Sequence, residues 1–114
     1  MAFDLNVVTL IGNLTRDPEL SYSNSGMPIC SFSIANNTGK EDDQVSFFDV
    51  VCFQKQAENV SLYCKRGSKV VIVGKLQQRR WEDQNGQKRY KVEIVANTVG
   101  FLSTKKNQDN QYDS

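Results

Sequence analysis

The chain has 114 residues, enough for one domain that folds alone. Fourteen basic and 13 acidic residues leave a formal net charge of +1, so no global basicity advertises a polyanionic partner. There is no histidine, no Cys-x-x-Cys pair among Cys30, Cys52 and Cys64, and no apolar run of membrane-spanning length. Zinc, a disulfide framework and a membrane location are therefore not expected, and a reducing cytosol fits. The N-terminus, MAFDLNVVTLIGN, reads as an alternating strand and not as a secretory signal.

Leu5–Gly12 is β-rich and partly continuous in apolar residues (Val7, Val8, Leu10, Ile11). Such a strand is expected to be covered on both sides over part of its length, by the core and by a second subunit. Gly12-Asn13 ends it and Asp17-Pro18 marks a turn. Leu20–Ser23 reads as a resumed strand before a second turn at Asn24-Ser25-Gly26. Ile29–Asn36 alternates, with Cys30, Phe32 and Ile34 on one face, and reads as a half-buried strand. Asn37–Gln44 is polar and without periodicity, a loop. Val45–Phe53 is the next strand and carries aromatics on both faces. Phe48 shares one face with Val50 and Cys52, while Phe47, Asp49, Val51 and Phe53 share the other. One set must point away from the core, into a partner or a ligand.

At Gln54 the period changes. Ala57, Val60, Tyr63 and Cys64 follow helical spacing, and Gly67 stands where a helix C′ cap belongs, predicting a helix over Gln54–Arg66 of about three turns. Ser68–Val73 is a strand, and Gly74 predicts a bulge or bend. Gly74–Glu82 and Lys88–Ala96 then flank Asn85-Gly86, a strong hairpin signal. A two-residue turn would pair Trp81 with Tyr90. A three-residue loop, Gln84–Gly86 with Gly86 left-handed, pairs Trp81 with Arg89 and Arg79 with Lys91. Only the second sorts Leu76, Tyr90, Val92 and Ile94 from Arg79, Trp81, Arg89 and Lys91, so that register is expected. It leaves an exposed Trp among three cations with no acid pairing them on that face. Asn97–Leu102 extends the last strand with Val99 and Phe101 inward. The domain is expected over 1–103, with a disordered tail over 104–114.

The order is strand, strand, strand, helix, strand, strand. A single helix between strands 3 and 4 of a five-stranded all-β sheet, with a long hairpin joining strands 4 and 5, is the layout of an OB-fold barrel, which often binds oligonucleotides. Charge distribution agrees: nine basic residues against two acidic ones lie between Lys65 and Lys91. Aromatic rings for bases and cations for phosphates are the components of a single-strand platform.

Three blocks give the chain a family resemblance: VTLIGNLTRDPEL with Tyr22, Gly26 and Met27-Pro28; FFDVVCFQKQAENVSLYCKRGSKVVIVGKL; and RRWEDQNGQKRYKVEIVA. Over Leu5–Phe101 it resembles the bacterial-type single-stranded DNA-binding proteins. The resemblance implies an OB-fold, a homotetramer, and sequence-independent coating of single-stranded DNA in replication, recombination and repair, in the cytoplasm on the nucleoid. It places base-stacking aromatics on Phe47, Phe53 and Trp81, and phosphate contacts on Lys55, Arg79, Arg80 and Arg89. Lys65 and Arg66 match the family's basic pair before a glycine. Two positions depart: Gly39-Lys40 stands where some members carry a tryptophan, and Asp49 where some carry a cation. The chain stops at Gln111-Tyr112-Asp113-Ser114, without the acidic, Phe-ended tip that recruits replication and repair enzymes in the family. It therefore resembles the short, tail-less members or a longer member trimmed at that end, and those enzymes remain candidate partners only.

Each candidate also has a plainer reading. Trp81 would otherwise be a core or interface residue, though flanking arginines resist burial unpaired. Phe47 and Phe53 would otherwise fill the barrel or a subunit interface. Tyr22 suits a loop contact to nucleic acid as well as a hydroxyl-capped core position. Arg79, Arg80, Arg89 and Lys91 would neutralise phosphates or make ordinary surface ion pairs. A replication-restart (primosomal) accessory protein of the same fold, docking mainly proteins, is the alternative function. No catalysis, cofactor or metal is expected: there is no nucleophile–base pair, and Glu41-Asp42-Asp43 lies in a polar loop.

Overall fold

The structure, a computed structural model, describes residues 2–39 and 44–103. Six strands and one helix follow the chain: β1 Val8–Leu14, β2 Glu19–Tyr22, β3 Pro28–Asn37, β4 Val45–Phe53, α1 Gln54–Tyr63, β5 Lys69–Glu82 and β6 Lys88–Ser103. They pair in the order β1-β5-β6-β4-β3-β2. A further pairing, Asn13 with Ala35 and Leu14 with Ile34, joins β1 to β3. That pairing makes a ring of five strands and leaves short β2 on the outer edge of β3. The five expected strands are thus β1, β3, β4, β5 and β6. The sixth, β2, is a four-residue addition held by its register with Pro28–Ser31. Helix α1 sits between β4 and β5, as the OB layout requires.

Strand alternation builds the core. Cys30, Phe32 and Ile34 of β3, Val50 and Cys52 of β4, Val70 and Ile72 of β5, and Ile94 and Ala96 of β6 all point inward and are buried. Helix α1 adds Ala57 and Val60, with Cys64 just beyond its end. The three cysteines are free and buried, small apolar fillers as their neighbours suggested. Cys30 and Cys52 face each other across β3 and β4. The Cys52 thiol is pushed far up by its hydrogen bond to Cys30 and by burial, and burial pushes Cys64 up to about 11.

Several boundaries differ from the sequence reading. Strand β1 runs through Gly12 and Asn13 to Leu14, because those residues pair with Val70 and Lys69. Its second side is not covered among the described residues: Ile11 is exposed. Helix α1 stops at Tyr63, three residues early, and Tyr63 is exposed. Gly67, with φ of 92°, therefore caps no helix; it sits in the Lys65–Ser68 turn, closed by the Ser68 N–H to the Lys65 carbonyl. Gly74 does mark a bulge, but the extra residue is its neighbour across the sheet. Val73 pairs with Thr98 and Gly74 with Ala96, leaving Asn97 over. Val99 is then buried, whereas Phe101 is only partly covered and tilts against the Tyr63 ring, 5.9 Å away. The Glu41-Asp42-Asp43 loop and the expected tail over 104–114 lie outside the described residues.

Candidate nucleic-acid interface

The β5–β6 hairpin adopts the sorted register. Arg79 pairs with Lys91, Trp81 with Arg89, and Glu82 with Lys88. Gly86, at φ of 78°, supplies the left-handed loop residue, and Asp83 organises the turn. Its Oδ1 accepts the Asn85 and Gln87 N–H groups, both at 2.9 Å. Strand parity then makes one outer face. It carries Arg79 and Trp81 from β5, Arg89, Lys91 and Glu93 from β6, and Phe47, Asp49 and Phe53 from β4. The parallel pairing of Val51 with Val95 joins the two halves.

That face is grooved. A central depression of about 440 Å³ is lined by Phe53 and Asp49 of β4, Arg79 of β5, Lys91 and Glu93 of β6, and Arg16. A second, at the hairpin tip, lies among Arg80, Trp81, Lys88, Arg89 and Tyr90. Arg79 bridges the two, its guanidinium carbon 4.9 Å from the centre of the Trp81 ring. Tyr22 and Lys55 share a third depression beside the β2–β3 turn and the start of α1. Phe47 opens onto a fourth, apolar cleft with Leu76 and Val92, where the first half of β4 parts from the hairpin.

The structure thus brings Phe53, Arg79 and Lys91 together at the centre, with Trp81, Arg80 and Arg89 at one side. It sets Tyr22 and Lys55 at one end and Phe47 on the flank. None of the four aromatics is fully buried. Trp81 is 43% exposed, Tyr22 61% and Phe47 68%, while Phe53 is half-buried as a groove wall. The core readings of Trp81, Phe47 and Tyr22 therefore do not hold.

One expectation fails. The cations beside Trp81 were expected to have no acid pairing them on their face, yet each is paired. Lys91 Nζ lies 2.8 Å from Asp49 Oδ2, Arg89 Nε 2.9 Å from Asp83 Oδ2, and Arg79 Nε 3.7 Å from Glu93 Oε1. Glu93 is two residues beyond Lys91, so its parity already placed it on this face. Asp49 reaches Lys91 only because β4 runs beside β6. Hydrogen bonds from Lys91 and then Ser33 hold the Asp49 carboxyl below its usual range. The Gln87 N–H and then Arg89 do the same for Asp83. Arg16, not singled out in the sequence, joins the central groove from the loop after β1 and pairs with Glu19. Among the described residues no group of His, Cys, Asp and Glu side chains could hold a metal ion. No helix among them is long and apolar enough to cross a membrane.

A small closed ring of strands with one helix, grooved on its outer face by open rings and cations, defines an OB-fold module of the oligonucleotide-binding kind. The chain belongs to the single-strand binding protein family, whose model matches residues 5–102. Its relatives include "Single-stranded DNA-binding protein 1" of Staphylococcus aureus (strain MSSA476), 41% identical over 113 residues that cover 96% of this chain and 72% of that protein. The single-stranded DNA-binding protein of Borreliella burgdorferi is 43% identical over 117 residues, covering 97% and 78%. That of Treponema pallidum is 43% identical over 106 residues, covering 89% and 60%.

Proposed function

We propose that this protein binds and coats single-stranded DNA without reading its sequence, during replication, recombination and repair. Bases stack on Trp81, Phe53, Phe47 and Tyr22, and phosphates are met by Lys55, Arg79, Arg80, Arg89 and Lys91. The function is binding alone, with no catalytic step. The site is cytoplasmic, on the nucleoid, and the working form is a homotetramer that offers several faces to one strand. The β1 strand, with Ile11 open, suits pairing with its copy across a two-fold axis. Family membership and the relatives' names support this reading.

The observation that carries it is the Trp81 ring on the outer face, partly open and flanked by Arg79 and Arg89. The replication-restart alternative would gain from a Trp81 buried between subunits; within the single chain the ring is open. Trp81 is the sole tryptophan, so its fluorescence reports on this face directly. Titration with single-stranded DNA should quench it and titration with duplex should not, and a solution mass should give four chains. Equal quenching by both, or by neither, refutes the proposal.

A further inference from the structure

All four ion pairs among the described residues lie on or beside the grooved face: Arg16–Glu19, Arg79–Glu93, Arg89–Asp83 and Lys91–Asp49. Of the other cations among those residues, Lys65, Arg66, Lys69 and Lys75 line none of the four depressions and enter no ion pair, and Lys55, Arg80 and Lys88, which line the outer depressions, enter none either. Chance pairing on a solvated surface would spread more evenly. Here the carboxylates gather where positive charge is most needed for a polyanion.

We infer that Asp49, seconded by Glu93 and Asp83, is a built-in competitor for phosphate: a strand lands on this face by displacing the carboxylates from Lys91, Arg79 and Arg89, and Asp49 sets how tightly and how salt-sensitively it is held. The inference rests on the single-strand reading proposed above.

Geometry singles out Asp49. Its Oδ1 accepts the Ser33 hydroxyl at 2.5 Å, while its Oδ2 takes Lys91 at 2.8 Å. Ser33 and Asp49 are cross-strand partners on β3 and β4, so the carboxylate is tethered to the sheet. Lys91 is the long and flexible member, and it is the one that moves. Both groups line the central groove, so the exchange occurs in the middle of the path. The Arg79–Glu93 pair, at 3.7 Å, is looser and yields more readily.

A closed pair presents no net charge. Phosphates passing it release fewer counterions than a free cation would draw out of the strand's ion atmosphere. Affinity is lower than the cation count predicts, and it falls less steeply with salt. The Asp49 side chain does not merely lack a positive charge for phosphate; it occupies the neighbouring cation.

The test uses the full chain and a labelled oligo(dT) strand, with affinity read by anisotropy from about 50 mM to about 300 mM NaCl. Asp49→Asn keeps the size and an oxygen for the Ser33 hydroxyl but releases Lys91. It should bind about threefold tighter at low salt. Its plot of log affinity against log salt should steepen by up to about 0.7, the share of one freed cation on a single strand. Glu93→Gln should move both quantities in the same direction, which guards against a folding defect in one variant. In a Lys91→Gln background Asp49→Asn should no longer steepen the plot. Wild-type binding with parallel salt plots for all variants, or weaker binding by both acid-to-amide variants, overturns this inference alone. A wild-type chain that does not bind the strand overturns the single-strand reading and this inference with it.

Discussion

Replacing Trp81 by alanine strips the ring from the hairpin tip and separates the stacking proposal from its alternatives. The ring is 43% exposed and Arg79 sits over it at 4.9 Å. On the proposed reading a base stacks on the remaining surface, with the guanidinium beside it. Stacking is worth about 1–3 kcal/mol per base by truncation. The cation–π contact with Arg79, about 0.5–1 kcal/mol at an exposed site, is made without DNA as well, so it bears on the hairpin and largely cancels from binding. A net loss of about 2 kcal/mol follows, roughly 30-fold in Kd. The fold should barely notice. Trp81 packs into no core, and a cross-strand pair such as Trp81 with Arg89 contributes about 0.2–1 kcal/mol. Because the variant has no tryptophan, the assay is anisotropy of a labelled oligo(dT), with a thermal melt as control. Trp81→Phe, which keeps a smaller ring, should recover more than half of the loss. A Trp81→Ala protein with the wild-type melt and a Kd within about twofold of wild type would refute the reasoning.

Arg79→Ala combined with Arg89→Ala should flatten the salt plot by less than about 1.4, the value for two free cations, because both are already paired with carboxylates. An unchanged slope would move the phosphate path off the hairpin. Gly74→Ala should cost about 3 kcal/mol in a denaturation curve, since its new Cβ would collide with the Val95 carbonyl, a backbone atom that cannot swing aside. The three thiols should resist a disulfide reagent at about pH 8 until the protein unfolds, since all are buried and Cys64 is raised to about 11. Because the folded value of Asp49 is depressed, its contribution to stability is present above the ordinary 3.8 and is lost as pH falls through the folded value. Asp49→Asn should accordingly flatten the acid limb of a plot of urea midpoint against pH.

Much of this face was legible in the sequence because period-2 parity is rigid. Once the Asn85-Gly86 loop was assigned three residues, Trp81 had to oppose Arg89 and Arg79 had to oppose Lys91. The β4 strand, Val45–Phe53, was legible for the same reason, and the outward set that includes Phe47 and Phe53 followed from it. Where parity breaks, reading fails. The residue left over at Asn97 moves the inward set of β6 to Val99, as expected, but Phe101, next in phase, ends only partly covered beside the second irregularity at Leu102. Helix α1 ended early because Cys64, though apolar and in phase, takes an extended backbone with φ −112° and ψ 151°. Spacing does not reveal that. The Lys91–Asp49 pair was illegible for a topological reason: the parallel contact of β4 with β6 joins residues more than forty apart in sequence.

On the proposed reading, that unseen pairing bears on how a near-neutral protein distinguishes single strands from duplex. A duplex offers phosphates but hides its base faces, so against this surface it has charge alone with which to compete. Cations already held by Asp49, Asp83 and Glu93 give such a ligand little net attraction. An unpaired strand brings open bases as well, and each base stacked on Trp81, Phe53, Phe47 or Tyr22 adds about 1–3 kcal/mol that a duplex cannot match. Only a ligand with that extra contribution readily displaces the carboxylates. The acids and the rings therefore work toward one end: the rings supply the affinity, and the paired cations withhold it from polyanions that have nothing to stack. Relieving the pairs, as in Asp49→Asn, should for this reason strengthen duplex binding proportionally more than single-strand binding. A uniform gain for both ligands would show that the carboxylates tune strength without contributing to the choice.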